Sequence, residues 1–308
     1  MTDVELARLR RQATYASVTV AALLIVAKLG AYLITDSVSL LSSLIDSIAD
    51  LIASSVTLAG VRHALKPADL AHRFGHGKAE GLASLAQAAF VTGSAVFLLV
   101  EAAGRLISPV AVQESGVGIA VMLFSIALTL VLLAFQRRVV RTTASIAITA
   151  DRLHYNADLY LNIAVIAALV LTRVFNTSIF DPLFAVGIAG LLLHGAWEIT
   201  QSALDVLMDR ELPQAERDLI KSLVTGHAAT RAIHDLRTRN SGTAAFIEFH
   251  LELDADLTLA KAHDVTDEIE HQLGEAFPRA EITIHQEPAG LNDLRLDHRV
   301  GEASSPVC

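Results

Sequence analysis

Thiols are all but absent. The one cysteine is Cys308, which excludes an intrachain disulfide and leaves no thiolate site that a single chain could build. Any metal bound here must be held by histidine, carboxylate or carbonyl groups. Charge is also scarce, at 19% of residues against 53% hydrophobic. With a positive mean hydropathy, that excludes an ordinary soluble domain and points to an integral membrane protein. A cleavable leader is not expected: residues 1 to 13 are polar with Arg8, Arg10 and Arg11, and the apolar run after them is too long for a signal-peptide core. Basic residues are short in the last hundred positions. Residues 1–208 hold 14 basic and 14 acidic residues, 209–308 hold 10 and 19, so the net charge of −9 sits in the second part. Such an acidic region argues against nucleic acid as a partner and would attract cations.

What the chain does have is six apolar segments, near Tyr15–Ile34, Leu40–Gly60, Leu82–Gly104, Val117–Phe135, Ser145–Val174 and Pro182–Ile199. Each is long enough to span a bilayer. Arg8, Arg10 and Arg11, then Arg62, Lys66, Arg73 and Lys78, then Arg137, Arg138 and Arg141 fall on one side of these spans, and the alternate loops hold at most one basic residue each. The positive-inside rule then predicts both termini in the cytoplasm.

The second segment carries Asp46 and Asp50 near its middle. A carboxylate at the centre of a membrane helix costs about 2.5–3.5 kcal/mol on insertion scales, so the pair needs compensation. Four residues apart on a helix places them on one face, where they could share a cation. The fifth segment repeats the pattern with His154 and Asp158. Three carboxylates and an imidazole suit a tetrahedral shell for zinc or a similar dication, whose charge makes the acids tolerable in hydrocarbon. Ser43, Ser47 and Asn162 are candidate supporting groups. Lys28 and Glu101 are read as side chains that snorkel to the interface, with no function. The second cytoplasmic loop holds Asp69, His72 and His76. Gly75 and Gly77 disfavour a helix there, so these ligands would sit on a turn.

Beyond the sixth span, Gln214–Gly226 reads as a helix opening on Pro213, Ile233–Thr238 and Ala245–Leu253 as strands, Thr258–Phe277 as an amphipathic helix and Glu281–His285 as a third strand. This order fits a small α+β sandwich with its helices on one face. His234, His250, His263 and His285, with Gln286 and Glu287, fall along it as candidate ligands. Domains are expected at 1–13 (cytoplasmic N-terminus), 14–208 (six membrane-spanning helices), 209–288 (cytoplasmic domain with candidate metal ligands) and 289–308 (disordered tail).

The DSIAD of the second span, the HYNAD of the fifth, the DLAHRFGHGKAE loop and the terminal IHQEP together resemble the cation diffusion facilitators, specifically their bacterial zinc and ferrous-iron efflux branch. The resemblance covers nearly all of residues 10–288. It implies a membrane all-α six-helix domain joined to a ferredoxin-like, metallochaperone-like α-β-β-α-β domain. It also implies a homodimer in the bacterial inner membrane, surrounded by lipid, that exports Zn²⁺, with Fe²⁺ and Cd²⁺ as alternatives, in exchange for protons. By similarity Asp46, Asp50, His154 and Asp158 form the transport site, and Asp69, His72 and His76 a loop site. His234, His250, His263, His285, Gln286 and Glu287 match a binuclear site in the cytoplasmic domain that helps hold the dimer together. Close relatives carry aspartate where this chain has Glu287, whose longer arm moves the oxygen. Lys78 and Asp209 match a charged interlock between protomers.

Two other classes compete. Membrane alcohol phosphotransferases also hold metals on paired aspartates, but they carry an Asp-Gly and Ala-Arg pattern upstream of the pair, and SVSLLSSLI stands there instead. A membrane-anchored metal sensor or buffer would leave the buried cost of Asp46, Asp50, His154 and Asp158 unexplained.

Overall fold

The computed structural model describes residues 2–36, 38–107, 116–175, 180–242 and 244–291; the tail beyond 291, with Cys308, lies outside them. The chain divides between Leu204 and Asp205 into two compact units.

The first unit is a bundle of six helices: α1 (Asp3–Thr35), α2 (Val38–Ala64), α3 (Ala79–Ile107), α4 (Gly116–Thr143), α5 (Ile146–Phe175) and α6 (Phe180–Leu207). Among the described residues five of them, all except α5, are long and apolar enough to cross a membrane by length and composition. The thirty residues of α5 rise about 45 Å, which also suffices. The helices outrun the apolar segments at one end. For α4 the apolar run stops at Phe135 whereas the helix reaches Thr143, because Gln136, Arg137 and Arg138 are adequate helix formers even where they are not apolar. The start of α1 is fixed by a capping box in which the Thr2 hydroxyl accepts from the Glu5 amide and the Glu5 carboxylate from the Thr2 amide.

Small residues let the bundle close. A Cβ added at Gly60 on α2 would meet the Ala83 Cβ on α3 at 2.4 Å, so the two helices approach there more tightly than any other residue allows. Several polar groups inside the bundle bind one another. Arg10, counted from sequence among the basic residues of the polar N-terminus, is buried: its Nη1 lies 3.1 Å from Glu80 Oε1, and its Nη2 donates to the Thr143 carbonyl at 2.7 Å. The Ser145 hydroxyl donates to the second Glu80 oxygen at 2.7 Å. Deeper in, the carboxylate of Asp151 on α5 accepts from Ser17 (2.6 Å, α1), Ser54 (3.2 Å, α2), Gln87 (3.0 Å, α3) and Gln136 (2.8 Å, α4). Gln136 also donates to Ser17 Oγ, and Tyr155 binds the Ser17 carbonyl and the Ser54 hydroxyl. Four neutral donors thus replace the water that a buried carboxylate would otherwise lose.

The second unit contains α7 (Gln214–Thr225), β1 (Ala232–Asn240), β2 (Ala245–Leu253), α8 (Leu259–Ala276) and β3 (Ala280–Pro288), in the order the sequence predicts. The sheet order is β1-β2-β3, with β1 and β2 antiparallel and β2 and β3 parallel. Period-2 alternation sends Ile247, Phe249, Leu251 and Leu253 into the core against Ile220 and Val224 of α7 and Ile269 and Leu273 of α8. The even-numbered residues of β2 face the opposite side. A bulge between His234 and Arg237, with Asp235 at φ +51°, re-aims β1 at that level.

Candidate metal centres

On the inner faces of α2 and α5, Asp50 and His154 are 8% and 6% exposed. The His154 Nε2 and Asp50 Oδ1 atoms lie 2.9 Å apart. Asp158, one turn along α5, completes a group whose ligand atoms all fall within 4.8 Å of one another. Asp46 stands outside this group and is exposed. Four residues is about 40° more than one turn of a 3.6-residue helix, and that offset puts Asp46 on the open shoulder of α2 when Asp50 faces α5. The donor set of two carboxylates and one imidazole is neutral in total with a dication and a neutral ring, which fits a zinc-like ion.

The support around this group differs from the sequence expectation. Lys28 does not snorkel. Its ammonium donates to the Ser43 carbonyl at 3.0 Å and the Ser47 hydroxyl at 2.7 Å, within electrostatic reach of Asp50, Asp158 and Asp46. Ser43 and Ser47 therefore hold the lysine, and Asn162 donates to the Asp158 backbone carbonyl at 2.8 Å. The lysine reaches inward because a ready acceptor pair lies on α2 across a close helix contact, a cross-helix fact that span length cannot reveal.

Asp69, His72 and His76 form a second group with ligand atoms within 4.8 Å, on a turn. Asp69 Oδ1 accepts from the amides of Ala71 (2.9 Å) and His72 (2.7 Å). The amide of Gly75, at φ +78°, donates to the His72 carbonyl, a left-handed position that suits glycine. Donation from the His72 amide holds the Asp69 carboxyl below its ordinary pKa, with the Ala71 amide and the His76 charge assisting. His72 Nδ1 and His76 Nε2 lie 3.4 and 3.3 Å from its two oxygens. The ring of His63, which the sequence reading passed over, sits 4.8 Å from that of His76.

In the second unit, register sets His234, His250 and His285 in one row across the three strands. Glu287 reaches back between them: Oε1 is 2.7 Å from His234 Nε2, and Oε2 is 3.4 Å from His250 Nδ1 and 4.0 Å from His285 Nε2. His234, His250 and Glu287 make the compact group, with His285 on its exposed rim. Two predicted ligands stand elsewhere. Gln286 alternates to the helix face, where its amide donates to Thr266 Oγ1 of α8. His263 is exposed on α8 beside Asp267, at 3.5 Å. The sheet separates both from the group. Missed by sequence reading was Glu252, 7% exposed and 3.3 Å from His234 Nδ1; its place two residues after His250, on the same strand face, was the available signal. Asp209 lies 3.7 Å from Arg239 within its own unit. The carbonyl of Lys78 accepts from Leu82 at the start of α3 in the other.

Comparison with known proteins bears on both units. Residues 14–208 match the cation efflux transmembrane domain, and residues 212–289 match the cytoplasmic domain of cation efflux proteins. The chain is 44% identical over 289 residues to the cation-efflux pump FieF of Yersinia enterocolitica, covering 94% of this chain and 96% of that one. It is 43% identical over 284 residues to FieF of Citrobacter koseri, covering 92% and 94%. Among solved structures, the Zn form of CzrB is 36% identical with a TM-score of 0.26, covering 28% of this chain and 99% of that one. The metal-bound C-terminal domain of the CzcD transporter from Thermotoga maritima is 28% identical with a TM-score of 0.25, covering 27% and 100%.

Proposed function

This chain belongs to the cation efflux family, and from that premise we propose that it exports Zn²⁺ from the cytoplasm in exchange for protons, with Fe²⁺ and Cd²⁺ as further substrates. It works as a homodimer in the bacterial cytoplasmic membrane with both termini and the second unit inside. The observation that carries this reading is the intramembrane group of Asp50, His154 and Asp158, a costly arrangement that an exchanged cation accounts for.

Each ligand must lose its proton to bind metal, so protons and the dication compete for one cavity. Histidine among carboxylates favours zinc-like ions over Mg²⁺. Asp46 supplies the fourth ligand by rotation of its exposed side chain toward Asp50. Metal enters from inside, the bundle rearranges, and protons arriving from outside displace it, so that two conformations alternate around one site. Lys28 provides a tethered positive charge beside the acids when they hold no other cation.

The remaining groups hold resident ions. Asp69, His72 and His76 fit a divalent ion on the loop. His234, His250, His285 and Glu287 fit one in the cytoplasmic domain, where it acts on transport only through preference for one conformation. Glu252 orients His234, as the second nitrogen of a metal-binding imidazole requires. Gln286 and His263 serve as ligands only through the dimer or a rearranged strand end. Lys78 and Asp209 pair between protomers at the membrane surface.

The test is uptake of Zn²⁺ into proteoliposomes under an imposed pH gradient, comparing wild type with Asp50→Ala. Flux should follow the gradient in the wild type and vanish in the variant, whose dimer remains intact by light scattering. Normal flux in the variant would sink the assignment.

A further inference from the structure

His63, in the last turn of α2, is bound to none of the roles above, yet it stands beside the loop group. We propose that His63 is the fourth ligand of the loop metal, making that site a closed, four-coordinate centre of one carboxylate and three imidazoles. The inference rests on the reading of Asp69, His72 and His76 as metal ligands.

Three observations carry it. The first is ring spacing: two imidazoles on one tetrahedral zinc, each with its centre about 3 Å from the ion, stand about 5 Å apart. The rings of His63 and His76 are 4.8 Å apart and perpendicular, and those of His72 and His76 are 4.6 Å apart. His63 thus stands at nearly the same distance from His76 as His72, a member of the group, does. The second is that His76, whose Nε2 faces Asp69 at 3.3 Å, is only 8% exposed, so its ring is held in place between those of His72 and His63. The third is the chemistry of the set. Asp69, His72 and His76 are three ligands, whereas a structural zinc site takes four. The nitrogens of His63 lie outside the mutual 4.8 Å group, but its side chain is exposed, so it closes the shell by changing rotamers, a small cost.

Four protein ligands leave no open position for exchange. The loop ion is then retained and staples the loop that follows α2 to the helix end itself.

The experiment uses the full-length protein in detergent with Asp50→Ala and His234→Ala, so that only the loop can bind, and Co²⁺ as the probe. The parent should bind one Co²⁺ per chain with the strong visible absorption of a four-coordinate ion. His63→Phe should weaken binding by at least 10–100-fold, the loss typical of removing even an outer-shell partner, and reduce that absorption. His63→Cys should retain tight binding and add a sulfur-to-cobalt charge-transfer band in the near ultraviolet that the parent lacks. Unchanged affinity and spectrum in His63→Phe, with binding abolished by His72→Ala and no new band in His63→Cys, would overturn the role of His63 alone. Failure of the parent to bind Co²⁺ would overturn the loop reading and this inference with it.

Discussion

Replacing Arg10 with methionine removes the positive member of an ion pair in which Arg10 is 3% and Glu80 0% exposed. The loss is larger than one contact. Glu80 keeps neutral donors alone, the Ser145 hydroxyl at 2.7 Å and the amides of Ile146 and Ala147, and the Thr143 carbonyl loses a donor at 2.7 Å. Breaking a buried pair from one side costs about 3–5 kcal/mol, because the remaining charge is uncompensated. Removing both charges with apolar side chains of similar volume is far cheaper, since the desolvation of Arg10 and Glu80 disappears with their attraction. The expected pattern is therefore non-additive. Arg10→Met should lower the thermal midpoint of the detergent-solubilised protein by on the order of 10 °C, and Arg10→Met/Glu80→Met should recover at least half of that. The assay is a double-mutant cycle on thermal midpoints in one detergent at one pH. A double variant as damaged as the sum of the two singles would refute the reasoning, since it would show no coupling between the two side chains.

Three further outcomes are expected. Glu252→Gln removes the carboxylate beside His234 Nδ1 and should weaken metal binding in the cytoplasmic unit by about 10–100-fold; chelator competition measures it, and an unchanged constant would count against the orienting role. Gly60→Ala forces a Cβ against Ala83 and should destabilise by about 1–3 kcal/mol, although glycine to alanine in a helix normally stabilises; restoration by a second change, Ala83→Gly, would identify the contact, and a stabilised single variant would dismiss it. Hydrogen bonding from Arg231 holds Asp254 below the ordinary carboxylate pKa of about 3.9. Because the folded value is the lower one, the pair's contribution is present above the ordinary value and is lost as pH falls through the lowered one. In Arg231→Ala the Asp254 titration, followed by NMR, should move up toward the ordinary range, and a midpoint that stays put would reject the pairing.

The fold was legible where periodicity and composition act alone. Long apolar runs marked the helices, and alternation placed β2 at Ala245–Leu253, its bounds in the structure. Spacing also brought His154 to the same group as Asp158. It could not say which shoulder of α2 turns toward α5, so Asp46 and Asp50 read as equals although only Asp50 is buried. Arg10 read as one more basic residue of the N-terminus, because nothing in its neighbourhood announces Glu80 seventy residues away. Gln286 is a different kind of miss: period-2 alternation between His285 and Glu287 already assigned it to the opposite face. His63 escaped because it closes a helix that the apolar run ends at Gly60, and only the turn of the following loop brings it back to His76.

The polar attachments of α3 gather at its first turns, while Val91, Ala95, Leu98 and Leu99 are held by apolar packing against α5 and α6, and this gives the helix a mechanical character. At its first turns it is gripped by Arg10 and Ser145 on Glu80, and by the contact of Gly60 with Ala83. At Gln87, among the described residues, a single bond to Asp151 ties it into the polar network, whereas Ser17, Ser54 and Gln136 each take part in at least two bonds there. Releasing that one bond costs about 1.5–3 kcal/mol, roughly a 10- to 150-fold change in population. Such a helix is pinned by directional bonds at one end and by non-directional apolar packing along the rest. A tilt of about 10° at the pinned end carries the far end, some 36 Å away, through about 6 Å, so the apolar contacts of Val91 to Leu99 must slide whenever the helix tilts while the bonds at Glu80 stay in place.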